Sequence, residues 1–286
     1  MEQKLIVNAS PHVRDHASTT SIMGTVILAL MPNLVACVYL FGLRALMLTA
    51  VCVVSCVAFE YLYCFFMKKE IPVGDLSAVV TGLLLAFNLP STLPFWMAMV
   101  GCFVAIVVVK QLFGGIGKNF ANPAIVGRIV LLVSFSGPMT GATPLGILAK
   151  GGEGMPSLLN LFLGVQGGSM GETCALALLI GGLFLIIRKV ITPTIPLAFL
   201  ATVVVMSWIT GQDPLVHLLS GGVMIGAFFM ATDYVTSPMT ESGKLIFGIG
   251  CGVITMMIRV YGSYPEGVSF AILLMNIVTP HINNLT

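Results

Sequence analysis

Long apolar stretches separated by short polar connections constrain this chain more than any single motif. Ten can be marked, at roughly 20–41, 45–67, 74–91, 94–113, 121–137, 173–191, 194–211, 214–232, 243–260 and 266–281. They run about 17–23 residues with few interruptions, the length an α-helix needs to cross a bilayer, whereas membrane β-strands alternate over about ten. Composition agrees: 57% of residues are apolar and only 8% charged, against about a quarter charged in a water-soluble domain. The chain is expected to be an all-α polytopic membrane protein. No cleavable leader is read in the polar opening MEQKLIVNASPHVRDHASTT, so the first membrane helix is expected to direct insertion.

The order of segments divides the chain into a segment 1–19, a first membrane unit 20–137, a polar interval 138–172 and a second membrane unit 173–286. The two units share punctuation. Gly82-LLLAFNLPSTL-Pro94 matches Gly226-AFFMATDYVTS-Pro238 in spacing. Lys110-Gln-Leu-Phe-Gly114 parallels Arg259-Val-Tyr-Gly262, and Pro123-Ala-Ile-Val parallels Phe270-Ala-Ile-Leu. Five helices per unit is an odd number, so the second copy is expected to enter the membrane upside down. That is the plan of inverted repeats whose broken helices meet near the midplane. Cations in the connections orient the whole: Lys4, Arg14, Lys68, Lys69, Lys110, Lys118, Arg188, Lys189 and Lys244 fall on the side of the N-terminus, against Arg44, Lys150 and Arg259 opposite. Nine against three puts both termini in the cytoplasm and 138–172 outside.

Chemistry-bearing residues concentrate at 110–144, KQLFGGIGKNFANPAIVGRIVLLVSFSGPMTGATP. Gly114, Gly115 and Gly117 unwind the chain before Asn119 and Asn122, which suit hydrogen bonds to a flat heterocycle or the cap of a helix opening at Pro123. Arg128 is a cation inside an apolar helix, where a phosphate, a carboxylate such as Glu266 or a neighbouring subunit is the expected partner. Arg259, at a helix end, has the same choices. In Thr140-Gly141-Ala142-Thr143-Pro144, Thr143 offers a hydroxyl that is inert until a second enzyme activates it. On spacing alone, a polar turn without chemistry is the favoured reading of the loop.

Asp233, flanked by Thr232, Thr236 and Ser237, is placed to bind a cation or relay protons, or else to face water or pair with Lys244. Asp75 reads as a helix cap. The seven cysteines (37, 52, 56, 64, 102, 174, 251) lie in or beside apolar helix. Cys52 and Cys56 share a face, but no second pair at ligand spacing makes them a metal site. His12 and His16 have no further ligand in range and read as a polar lead-in. No phosphate loop or dinucleotide fingerprint is present, since GGIGK lacks the Ser or Thr after Lys118, and nothing supports nucleic-acid binding.

SPHVRDHASTTSIM, VTGLLLAFNLPSTLP, KQLFGGIGKNFANPAIVGR, TGATPL, MATDYVTSPMTESGKLIFG and IRVYGSYPEGVSFAILLMN together resemble the RnfD family, the D subunits of the Rnf complexes. That family is homologous to the B subunits of the sodium-pumping NADH:quinone reductases. The short N-terminal segment and a length of 286 residues favour the Rnf family over its longer relative. The resemblance implies an inner-membrane component of an ion-motive complex that couples electron transfer between ferredoxin and NAD to Na⁺ or H⁺ movement. It is expected to be active only with the complex's other subunits (A, B, C, E and G). It implies FMN joined through its phosphate to Thr143, with Thr140, Gly141 and Ala142 around it, attached by a flavin transferase outside the cytoplasm. One departure is Gly137, where the transferase's target motif often carries Asp. The resemblance also implies a non-covalent riboflavin in the membrane part; apart from the resemblance, Asn119 and Asn122 are the candidates to touch it, and Arg128 is a further cofactor-binding candidate. Asp233 and Thr236 are the candidates for the ion path. The competing class is a stand-alone transporter or channel for a small solute, which would need no flavin.

Overall fold

The computed structural model describes residues 18–70, 72–140, 143–149, 156–262 and 266–286. Gly141 and Ala142, and the histidines at 12 and 16, lie outside them. The described residues are helical, with no strand among them. In the first unit run α1 (Thr19–Phe41), α2 (Leu43–Phe66), α3 (Ser77–Phe87), α4 (Phe95–Gln111) and α5 (Pro123–Ser134). The interval that follows carries three short helices, α6 (Ser136–Met139), α7 (Pro144–Ala149) and α8 (Leu158–Leu163). The second unit holds α9 (Ala175–Ile187), α10 (Thr194–Ile209), α11 (Pro214–Leu219), α12 (Val223–Ile225), α13 (Glu241–Tyr261) and α14 (Val268–Leu285). Four of these, α1, α2, α13 and α14, are long and apolar enough to cross a membrane, while α3, α4, α5, α9 and α10 are shorter apolar helices of 10–17 residues. The chain is an all-α membrane protein.

Local chemistry explains the bounds. The Ser18 hydroxyl accepts from Ser21 N at 3.2 Å and opens α1; Thr240 does the same for α13, accepting from Gly243 N at 3.0 Å. Each satisfies an amide that has no partner inside its helix. The apolar segment 214–232, read as one helix, is broken: α11 ends at Leu219 and α12 starts at Val223. The break falls at Gly221, whose φ of +65° belongs to the left-handed region. Such a conformation is cheap only without a β-carbon. Past Val223–Ile225 the helix widens into a π-turn over Gly226–Met230, and α4 widens likewise from Val104 to Gln111. Lys110 and Gln111, at the end of the widened turn in α4, are both buried.

Packing in an apolar solvent rests on close approach rather than on hydrophobic transfer, so small residues stand at the contacts. α10 packs along α13 through Gly248 and Gly252. A β-carbon on Gly252 would sit 2.6 Å from Thr202 Cβ, and one on Gly248 would sit 2.7 Å from Ala198 Cβ. Gly181 of α9 approaches α1 so closely that a β-carbon would meet Ala29 O at 2.2 Å. The end of the polar interval does not stay outside this core. Met170 N donates to Leu89 O (3.0 Å) and Gly171 N to Phe87 O (2.8 Å), so backbone from the interval supplies donors to the carbonyls at the end of the short helix α3.

Candidate functional site

One cavity collects residues that the sequence pointed to for separate reasons. It lies where the short helix α3 and the π-turn that follows α12 meet the start of α5, with α1 and α9 closing the sides. Val80, Leu84, Leu185, Phe228 and Phe229 give apolar and aromatic walls, and Ser77, Thr81, Lys110, Asn119, Asn122 and Asp233 give the polar groups. Such a surface, mostly apolar with a few polar residues, suits a flat heterocycle.

Each polar group is held by its own element. Asn122 caps α5, its Oδ1 accepting from Ala124 N at 3.1 Å while its Nδ2 reaches Met230 O at 3.4 Å. Asn119 Nδ2 donates to Ala121 O (3.0 Å). Asp233 follows the π-turn of the second unit; its Oδ2 accepts from Thr236 Oγ1 (3.1 Å), and its carbonyl from Ser237 N (3.0 Å). Lys244 is not its partner, because that ammonium pairs with Glu241 Oε1 at 2.7 Å. Tyr234, beside Asp233, donates its hydroxyl to Val190 O.

Behind the cavity wall lies a group the sequence reading missed. Lys110 Nζ pairs with Glu60 Oε1 at 2.6 Å and donates to Ser77 Oγ at 2.5 Å; Gln111 Nε2 also reaches Glu60 Oε1, at 2.7 Å. Ser77 in turn donates to Asp75 Oδ1 (2.5 Å), and Asp75 caps the start of α3 through Ser77 N (2.8 Å). Glu60 and Lys110 are both almost wholly buried. The signal was available: Glu60 is the only charge inside the apolar run 45–67, and acids there are rarely idle.

Arg128 does not line the cavity. Its guanidinium is taken up by protein: Nη1 pairs with Glu172 Oε1 (2.5 Å) and donates to Asn88 Oδ1 (2.5 Å), and Nη2 pairs with Glu266. Glu266 was among the partners expected; Glu172, in the polar interval, was not. Arg259 binds backbone instead, donating to His217 O (2.6 Å) and Ser220 O (2.9 Å). Both ring nitrogens of His217, the Ser220 hydroxyl and Arg259 Nε are buried with no hydrogen-bond partner among the described residues.

Thr143 opens α7. Its half-buried hydroxyl accepts from Gly146 N (3.1 Å) and its carbonyl from Ile147 N (3.0 Å). Thr140, exposed, donates to Ser136 O (2.7 Å). Gly137 has open space where a side chain would start. The seven cysteines are free and buried, with Cys102 Sγ 3.5 Å from Cys52 O. No group of three or more His, Cys, Asp or Glu among the described residues is arranged to hold a metal.

Apolar helices around a polar-lined cavity define an all-α membrane protein with an internal cavity. Residues 6–286 match the family described as NQR2, RnfD, RnfE, and the chain belongs to that family. It is 53% identical to the D subunit of the Na⁺-translocating ferredoxin:NAD⁺ oxidoreductase complex of Acetobacterium woodii, over all of this chain and 94% of that protein. It is 42% identical to the D subunit of the proton-translocating ferredoxin:NAD⁺ oxidoreductase complex of Clostridium ljungdahlii, over 98% of this chain and 94% of that protein. To the D subunit of the ion-translocating oxidoreductase complex of Stutzerimonas stutzeri it is 38% identical, over 94% of this chain and 91% of that one.

Proposed function

We propose that the chain is the membrane subunit of an ion-motive electron-transport complex. It carries electrons through FMN bound covalently to Thr143 and couples transfer between ferredoxin and NAD to Na⁺ or H⁺ movement. The observation that carries the reading is convergence. Asn119, Asn122 and Asp233, singled out in two distant parts of the sequence, line one cavity, in a chain similar over its whole length to the D subunits of such complexes.

The cavity is the site we assign to riboflavin. Its aromatic and aliphatic walls fit a planar ring, and Asn119, Asn122, Ser77 and Lys110 offer hydrogen-bonding groups to the ring's polar edge. Flavins supply the one- and two-electron chemistry; the protein binds, orients and excludes water. Asp233 with Thr236 is the candidate gate for the cation, set on the same cavity so that charge arriving at one is felt at the other. The relatives name different ions, Na⁺ in one and protons in the other, so the family accommodates either.

The energetics permit the coupling. Two electrons falling through 100 mV release about 4.6 kcal/mol, and moving one cation against 100 mV costs about 2.3 kcal/mol.

On this reading the ten apolar segments form two inverted five-helix repeats in the inner membrane, with α3 and α12 as the paired broken helices. Lys110 and Arg259 are engaged inside the fold and leave the cation count, which becomes eight against two and keeps both termini cytoplasmic, with 138–172 outside. The remaining subunits and the flavin transferase are the partners.

The test is in-gel flavin fluorescence of the denatured chain, expressed with its flavin transferase, beside Thr143→Ala. A fluorescent parent and a dark variant are expected. A dark parent, with the transferase active on a control protein, overturns the covalent-flavin assignment and favours a solute transporter. For the ion path, Asp233→Asn in the reconstituted complex is expected to abolish coupled ion uptake; unchanged uptake removes Asp233 from the path.

A further inference from the structure

The corner formed by α11 and the end of α13 contains a half-buried cation, Arg259, that the assignments above leave unused. Arg259 directs both Nη groups to neutral carbonyls, those of His217 and Ser220. These bonds lock the guanidinium in place without neutralising it. The nearby carboxylates, Glu172 and Glu266, are both paired with Arg128. Around Arg259, four buried polar atoms have no hydrogen-bond partner among the described residues: its own Nε, the two ring nitrogens of His217, and Ser220 Oγ. His217 is 2% exposed and Ser220 is 0% exposed. Each such orphan costs about 1–3 kcal/mol when left unsatisfied, and the half-buried guanidinium has no carboxylate of its own to pair with. A corner with that inventory is built for an anion that accepts several hydrogen bonds.

The polar interval lies directly over it. α8 packs on α11, and α7 reaches the break between α11 and α12. From the point a β-carbon would occupy at Gly221, Leu145 Cδ1 is 2.7 Å away and Arg259 Nη2 is 3.0 Å away. The side chain of Leu145 and the guanidinium are therefore at most 5.7 Å apart. Leu145 stands two residues beyond Thr143, whose hydroxyl heads the same helix. Gly221 has to be glycine both for its φ and because a side chain would fill the gap between them.

We propose that Arg259, His217 and Ser220 form the seat of a phosphodiester carried on Thr143. Arg259 Nε and the Ser220 hydroxyl donate to the phosphate oxygens, and His217 donates through one ring nitrogen. The proposal rests on the assignment of FMN to Thr143 and adds the residues that hold its anionic end. Arg259 is a positioning residue: it fixes where the tethered flavin stands relative to the membrane core.

Phosphorus NMR tests this independently of turnover, since a non-covalent riboflavin carries no phosphorus. The full chain, expressed with its flavin transferase and purified in a phosphorus-free maltoside detergent, is expected to give one broad phosphodiester resonance, shifted from that of the same chain unfolded in SDS. Arg259→Gln and His217→Gln are expected to move and narrow that resonance toward the unfolded position, Arg259→Lys less so. Should Arg259→Gln fail to accumulate, Arg259→Lys and Ser220→Ala carry the same comparison. A fluorescent, flavinylated parent whose resonance is unaffected by these substitutions overturns the seat and leaves the Thr143 assignment standing. A parent without covalent flavin overturns the assignment, and the seat with it.

Discussion

Lys110 and Glu60 meet 2.6 Å apart in a part of the molecule where neither is exposed. A buried pair of this kind adds little net stability, yet removing one partner leaves an uncompensated charge and costs about 3–5 kcal/mol. Glu60→Gln is therefore expected to lower the thermal midpoint of the purified chain sharply, and Glu60→Met with Lys110→Met together to recover most of the loss. Scanning calorimetry or thiol-reactive dye melting in detergent checks both. Asn122→Ala removes the cap of α5, a loss of about 1 kcal/mol. If the cavity holds riboflavin, the same change is expected to release flavin, read as non-covalent flavin in acid extracts. At this scale the sequence was partly legible. Asn119, Asn122 and Asp233 declared themselves as polar groups amid apolar residues. Glu60 carried the same signal and was passed over; Glu172 carried none, because an acid in a polar interval looks solvated until the fold buries it.

Among the elements, α10 and α13 lie together because Gly248 and Gly252 present backbone to Ala198 and Thr202. Gly252→Leu forces a side chain into space already filled at 2.6 Å. Overpacking of this kind is expected to cost about 1–3 kcal/mol, measured by the same melts, with Gly252→Ala the milder change. Gly221→Ala must place a β-carbon at φ +65°, a strain of about 1–2 kcal/mol, and against Leu145 and Arg259 as well. Apolar periodicity located the helical segments but not their internal breaks. The gap between α11 and α12 depends on a backbone conformation that a glycine permits without demanding. The π-turns at 104–111 and 226–230 have no sequence signature, because they follow from which neighbours the widened turn meets.

For the molecule as a whole, Arg128 gathers Asn88, Glu172 and Glu266, drawing together the first unit, the polar interval and the approach to α14. Residues sharing such a network couple by about 0.5–3 kcal/mol. A double-mutant cycle on Arg128→Gln and Glu172→Gln is expected to show coupling of that size in thermal stability, with the two losses far from additive. Additive losses would mean that Glu172 is buried without depending on Arg128. The sequence by itself determined the class: so apolar a chain, cut into helix-length runs, has no water-soluble fold open to it, since each buried backbone group needs a partner inside its own helix. It also named three of the polar residues at the cavity, Asn119, Asn122 and Asp233, because a polar side chain in an apolar run is costly enough to stand out. Only the tertiary structure decided which of them meet. The pairing of Lys110 with Glu60, the burial of Glu172 against Arg128, and the unpartnered corner at His217 and Arg259 all join residues about 40 or more positions apart. Distances across the fold are set by which helices pack, and packing between apolar faces leaves almost no record in any one stretch of sequence.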